Sequence, residues 1–235
     1  MRYVITKQWR IEAGVGIVLT ALIYLLIFSA TPNTGKTYSD PRLVPLSDRI
    51  SHASLSQGLH LSYDGLSKGK FLVASRNMQD PRFMETVVLL LKYDTKGATG
   101  LIINRPTEVK ISEVFPDIAG PQQKTAFFLI GGPVAINQVF ILLRSGSPVE
   151  DAENIFRDVH VSPYMSVLRR VFSGNTEEEN FRVYAGYAGW MPGQLDLEVS
   201  RGDWHILQAD AETIFKTKLS EIWSELISRS TSLII

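Results

Sequence analysis

The side chains able to do chemistry are few and scattered along this chain. The four histidines, His52, His60, His160 and His205, share no H-x-x-x-H spacing and form no His–carboxylate pattern with ligand spacing. His205 beside Trp204 has the chemistry of an acid or base, but an ordinary core or surface histidine explains it more simply. Asp196 and Glu198 lie two apart. On a helix they would point about 200° apart and could not share a proton; on a strand they would share a solvated face. There is no cysteine, which excludes thiol catalysis, Cys-ligated metals and disulfides, and no G-x-S-x-G elbow. Residues 30–37, Ala-Thr-Pro-Asn-Thr-Gly-Lys-Thr, match a relaxed phosphate-loop pattern with Ala for the first Gly. A working phosphate loop joins a buried strand to a helix. Here the pattern follows a long apolar run, and Pro41 and Pro45 oppose the helix, so it reads as a chance match. The expectation is no catalytic residue, no cofactor and no metal.

Two glycine clusters carry more information. Gly131-Gly132-Pro133-Val134 stands between apolar runs. It reads as a tight strand connection, with a nest of backbone N–H groups for an anion as the functional alternative. Gly186-Tyr187-Ala188-Gly189-Trp190-Met191-Pro192-Gly193-Gln194-Leu195 is denser. Its glycines and proline imply a constrained turn fixed through Gly189 and Gly193, with Trp190 packed inside and Met191 left free. Pro192 would open a short helix that Gly202 ends, placing Leu195 and Val199 on one face. The alternation of Leu195, Leu197 and Val199 fits a strand equally well. The functional alternative is a ligand groove beside Trp190.

The elements that must position these clusters follow from pattern. The chain has 235 residues, 45% hydrophobic and 20% charged, which suits one sizeable domain with extras. The spacing predicts strands at 71–75, 86–93, 99–104, 126–130, 139–143, 182–187 and 204–208. Helices are predicted at 108–114, 164–172 and 212–227, the last with Ile214, Phe215, Leu219, Ile222, Trp223 and Leu226 along one face. The mixture lacks strict βαβ alternation, so the fold class is α+β. From residue 51 onward there are 18 basic and 21 acidic side chains, a net of −3, which disfavours nucleic acid as a partner.

The N-terminus has a different texture. No charge occurs from Ala13 to Gly35. About 20 apolar residues cross a bilayer as a helix, so residues 13–33 are expected to form one uncleaved transmembrane helix. Phe28 stands at −3 of the only cleavage site that Ala30 would offer, which disfavours a signal peptide. Residues 1–12 form a short head carrying Arg2, Lys7 and Arg10, and residues 34–67 a linker or wrapping segment. The basic head places the N-terminus inside and the domain, residues 68–235, on the far side of the membrane.

Five stretches occur in one order: Gly69 to Ser75, Asp80-Pro81-Arg82-Phe83, Gly97 to Pro106 (ending Asn104-Arg105-Pro106), Gly131-Gly132-Pro133-Val134 and Gly186 to Leu195. Gly202 and Trp204 follow. Together they resemble the AlgH/YqgE family over roughly Gly69 to Ser228. The resemblance implies a bifurcated β-sheet curled into a pseudo-barrel with flanking helices. It also marks Asn104, Arg105, Pro106, Gly131, Gly132, Pro133, Gly189, Trp190, Gly193 and Gln194 as signature positions, structural or binding. It implies no assigned active site, and a family label of regulator that is an association rather than a mechanism. Arg144 and Tyr93 stand near points where that family often has histidine, which weakens histidine-based chemistry. The leading expectation is a non-catalytic, membrane-anchored accessory or binding domain, docked on an integral-membrane partner in a bacterial inner membrane. A regulator of gene expression and an enzyme using a groove near Trp190 are the alternatives.

Overall fold

The computed structural model describes residues 65–118, 126–174 and 180–232. The expected transmembrane helix at 13–33, the linker up to residue 64 and the phosphate-loop match at 30–37 lie outside the described residues. Among the described residues no helix is long and apolar enough to cross a membrane.

One sheet organises the domain. Strands β1 (Lys70–Ala74), β2 (Val87–Asp94) and β3 (Gly97–Ile102) form an antiparallel meander, with β10 (Trp204–Gln208) on the outer side of β1. β2 reads Val-Val-Leu-Leu-Leu without alternation because both of its faces are covered. Val87 and Leu89 enter one core with Phe71, Val73 and Tyr184; Val88 and Leu90 enter another with Leu72, Trp190 and Trp204. The β2–β3 turn is closed by the Lys96 amide donating to Asp94 Oδ1 at 2.7 Å.

The next segment departs from expectation. Residues 108–114 are not one helix. Pro106–Lys110 is a strand, β4, paired with β5 (Phe127–Ile130), and only Ile111–Val114 is helical (α1). Thr107 draws the chain into the sheet: its Oγ1 donates to the Phe128 carbonyl at 2.8 Å. β6 (Val134–Arg144) and β9 (Phe181–Trp190) are longer than predicted, and the hairpin β7 (Glu153–Phe156) with β8 (Val159–Ser162) was not anticipated. Its turn lacks glycine: Arg157 takes φ 43°, and Asn154 Nδ2 donates to its carbonyl at 2.8 Å. Helix α2 (Met165–Ser173) buries Val167, Leu168, Val171 and Phe172 on the outer face of β6 and β9, as its spacing predicts.

β9 is where the sheet forks. Along one edge it pairs with β6. Along the other, Val183–Ala185 pairs with β5 in parallel, and Ala188–Trp190 pairs with β3 antiparallel. Between the two branches sits Gly186, at φ 72°. Gly131 is the joint: its N–H donates to the Ala185 carbonyl and its carbonyl accepts from Ile102 N–H, both at 2.8 Å. A Cβ on Gly131 would lie 2.3 Å from the Gly186 carbonyl oxygen, and one on Gly132 would lie 2.1 Å from the Tyr187 carbonyl carbon. The two glycine clusters of the sequence are therefore one feature, the crossing of two backbones at the fork.

The sheet curls until β7 returns to the start of β1. Lys68 Nζ donates to Glu153 Oε1 and to the Asn154 carbonyl, both at 2.9 Å. The predicted helix at 212–227 is two helices, α4 (Ala211–Phe215) and α5 (Ile222–Ser232); α3 (Gln194–Ser200) precedes β10. Asp210 caps α4 through Thr213 N–H at 2.7 Å, and the amides of Lys216 and Thr217 both close on the Glu212 carbonyl, which stops the helix. The apolar period survives the break: Ile214, Phe215, Ile222 and Leu226 all enter the core inside the curl.

Candidate functional site

The signature residues that converge do so on the loop from Asp80 to Glu85. Asn104 follows β3 and completes the edge that β2 leaves open. Its Oδ1 accepts from Val87 N–H and its Nδ2 donates to the Glu85 carbonyl, each at 2.9 Å. Arg105 Nη2 donates to the carbonyls of Pro81 at 3.4 Å and Met84 at 3.2 Å. These contacts hold Glu85 at φ 54°, a left-handed conformation that a glutamate rarely adopts. Arg82 turns back onto its own loop, its Nη2 binding Asp80 Oδ2 at 2.6 Å. That pairing draws the Asp80 carboxyl below its ordinary pKa, through the hydrogen bond first.

From the far side the loop is met by an aromatic cluster. Phe83 stacks on Trp190, centroids 6.1 Å apart, and meets Trp204 edge-on at 5.6 Å. Trp190 and Trp204 are themselves edge-to-face at 6.1 Å. Both indole N–H groups donate to one carboxylate oxygen, Glu198 Oε2, at 2.8 and 2.9 Å. The other oxygen accepts from Gln194 Nε2 at 2.9 Å, and Gln194 Oε1 accepts from Met191 N–H at 3.0 Å. Glu198 thus ties together the end of β9, the turn after it, helix α3 and β10. The carboxylate two residues earlier goes elsewhere: Asp196 accepts from the Tyr93 hydroxyl at 2.5 Å.

The ten signature positions fall into different roles. Asn104, Arg105, Trp190 and Gln194 come together around the loop and Glu198. Gly131 and Gly132 belong to the fork, and Pro133 is exposed beside it. Pro106 opens β4 on the other side of Arg105. Gly193, at φ 74°, is the cap from which α3 starts at Gln194, so Pro192 lies before the helix rather than in it. Gly189 does not shape the turn. It lies within β9, where an added Cβ would meet nothing nearer than the Tyr187 ring at 3.3 Å. Sequence reasoning weighed Glu198 only against Asp196 and met Phe83 only within a motif, and missed that both meet Trp190. The Gln194–Glu198 spacing of four was the available signal, usable only once α3 was assigned as a helix.

His52 and His60 lie outside the described residues, and neither His160 nor His205 joins this hydrogen-bond network. His160 is buried on β8, where its Nε2 lies 3.2 Å from Asn154 Nδ2. His205 is half-buried on β10, and burial lowers its pKa. Among the described residues no group of three or more His, Asp or Glu is placed to hold a metal ion. An apolar cavity of about 430 Å³ lies between β4, β5 and β9, walled by Pro106, Ile111, Phe128 and Val183.

The order of these motifs and the forked, curled sheet meet in one comparison: the profile described as AlgH-like matches residues 71–232. The chain belongs to the AlgH-like family. A UPF0301 protein of Photobacterium profundum is 33% identical over 167 residues, 68% of this chain and 89% of its own. One of Vibrio atlanticus is 34% identical, covering 65% and 86%. The solution structure of the AlgH protein from Pseudomonas aeruginosa superposes with TM-score 0.60 at 32% identity, over 71% of this chain and 92% of that one. A Corynebacterium diphtheriae crystal structure shares the fold at TM-score 0.59 and 20% identity, over 70% and 87%. The AlgH-like architecture of this chain is thus a curled, largely antiparallel half-barrel with flanking helices.

Proposed function

We propose that this AlgH-like chain is a non-catalytic accessory or binding protein. Residues 13–33 hold it in a bacterial inner membrane, and its domain docks on an integral-membrane partner from the far, periplasmic side. The observation that carries the reading is a contrast at the signature site. The polar atoms around Trp190 are spent on one another: Glu198 serves three donors, Gln194 closes the turn, and Arg82 is held by Asp80. At the same place the apolar side chains of Met191, Leu197 and Met84 are 74%, 59% and 51% exposed. Side chains committed to internal bonds hold a shape, whereas exposed apolar ones on a rigid base suit contact with another protein. The uncharged run from Ala13 to Gly35 supports the membrane part, and the net of −3 from residue 51 onward argues against nucleic acid.

The test is purification of the full chain from membranes in mild detergent. A stoichiometric integral-membrane protein should accompany it. The pair Met191→Asp and Leu197→Asp should release that partner without lowering the melting temperature. Recovery of the chain alone, or from the soluble fraction, overturns the reading.

A further inference from the structure

Arg105 is a cation without a counter-ion among the described residues. Its guanidinium is half-buried, and burial is the main cause that lowers its pKa. Such a charge is ordinarily paired. Among the described residues no carboxylate lies within ion-pair distance of it: its hydrogen bonds are the two from Nη2 to the neutral carbonyls of Pro81 and Met84. Asp80 is near enough to feel its charge, but Arg82 holds that carboxylate through Nε at 3.0 Å and Nη2 at 2.6 Å. Arg82 and Asp80 cancel, and the charge of Arg105 is left over. Among the described residues the donors on Nε and Nη1 have no hydrogen-bond partner. The backbone beside it is strained, since Asn104 and Arg105 together hold Glu85 at φ 54°. A fold that only needed the loop closed would not require an unpaired guanidinium to close it.

We propose that Arg105 anchors an anion-binding site on the Asp80–Glu85 loop, taking one carboxylate or phosphate group of a small ligand through its Nε and Nη1 donors. The anion completes the charge balance that Asp80 cannot supply. It also bears on the aromatic cluster, because Arg105 grips the carbonyls that flank Phe83, and Phe83 stacks on Trp190. The site does not depend on a membrane partner.

The probes are sodium phosphate and sodium acetate, titrated separately into the full chain in detergent, with ionic strength held constant by sodium chloride. Calorimetry should show saturable binding of at least one; which one separates a phosphate from a carboxylate ligand. Arg105→Gln should weaken it by about tenfold or more, as expected for loss of charge-assisted hydrogen bonds. Arg201→Gln, which removes an arginine already paired with Asp203, should leave it unchanged. A second measurement needs no variant. Phenylglyoxal modification, read by mass spectrometry, should be slowed at Arg105 and not at Arg201 by the same ion. Absence of saturable binding by both ions, equal binding by Arg105→Gln, or no protection of Arg105 each overturns the site.

Discussion

Replacing Trp190 by Ala removes the residue on which the loop, the turn and two strands converge. Trp190 is 7% exposed, stacked on Phe83, edge-on to Trp204, and hydrogen-bonded to Glu198. Truncating a buried Trp to Ala costs about 3–5 kcal/mol, the transfer loss plus the cavity left behind. For a domain of this size 1 kcal/mol moves the melting temperature by about 2–4 °C, so a fall of about 6–20 °C is expected. The carboxylate supplies an internal scale. Glu198→Ala leaves two indole N–H groups without their acceptor; the carboxylate is itself only half-buried, so water entering its place recovers some of the loss, and the cost should be about 2 kcal/mol. Glu198→Gln keeps one oxygen for the indoles and should cost about 1 kcal/mol. Melting followed by far-ultraviolet circular dichroism ranks the three without relying on tryptophan emission, which all three changes disturb directly. An unchanged melting temperature for Trp190→Ala, with binding lost, would refute an architectural role and place a ligand groove there instead.

Glycine substitutions should separate the fork from the turn. Gly132→Ala drives a Cβ to 2.1 Å from backbone and should prevent folding, whereas Gly193→Ala meets open space and should cost about 1–2 kcal/mol for its φ of 74°; yields and melts decide. Tyr184→Phe should be neutral or stabilising by up to about 1–3 kcal/mol, because its buried hydroxyl has no hydrogen-bond partner among the described residues; a clear loss in a denaturant melt would refute that. Asp80 and Asp158 have pKa values lowered chiefly by hydrogen bonds from Arg82 and Arg144. Folded-state values below unfolded ones stabilise above the ordinary aspartate pKa of about 4, with the benefit lost as pH falls through the folded values. Denaturant midpoints should therefore be level near neutrality and decline in acid, and a midpoint that rises below pH about 4 would contradict the pairing.

The parts of this fold legible in the sequence are those where one local pattern decides. The run Val87–Leu90 declares a strand because both its faces are buried, and the spacing of Val167, Leu168 and Val171 declares α2. Elsewhere two local patterns compete and a distant partner settles the matter. Residues 108–110 alternate too briefly to separate helix from strand, and it is pairing with β5 that makes them a strand. The β7–β8 hairpin escaped because its turn uses Arg157 in a conformation usually given to glycine or asparagine, stabilised by Asn154 rather than by its own sequence. The break between α4 and α5 leaves the apolar period intact, so periodicity alone passes over it.

The candidate site was legible as motifs but not as a site. Asp80-Pro81-Arg82-Phe83, Asn104-Arg105 and Trp190 are separated by more than a hundred residues between first and last, and each alone reads as turn chemistry or core. Their meaning lies in what the fork does. Gly131 and Gly186 let two backbones cross so closely that β9 can serve β5 with one half and β3 with the other. That brings the end of β9, carrying Trp190, beside β3 and so toward the loop gripped by Asn104 and Arg105. Glycine at the fork is thus a condition for the Trp190–Phe83 stack. The dependence runs one way. A bulkier residue at Gly132 should abolish the stack together with the fold, whereas Trp190→Ala should lose the stack and leave the β5–β9 pairing intact. Hydrogen exchange at the amides of Leu129 to Gly131, compared with those of Phe83 to Thr86 in the Trp190→Ala chain, reads that asymmetry directly. Equal loss of protection at both places would mean that the aromatic cluster holds the fork, the reverse order of cause.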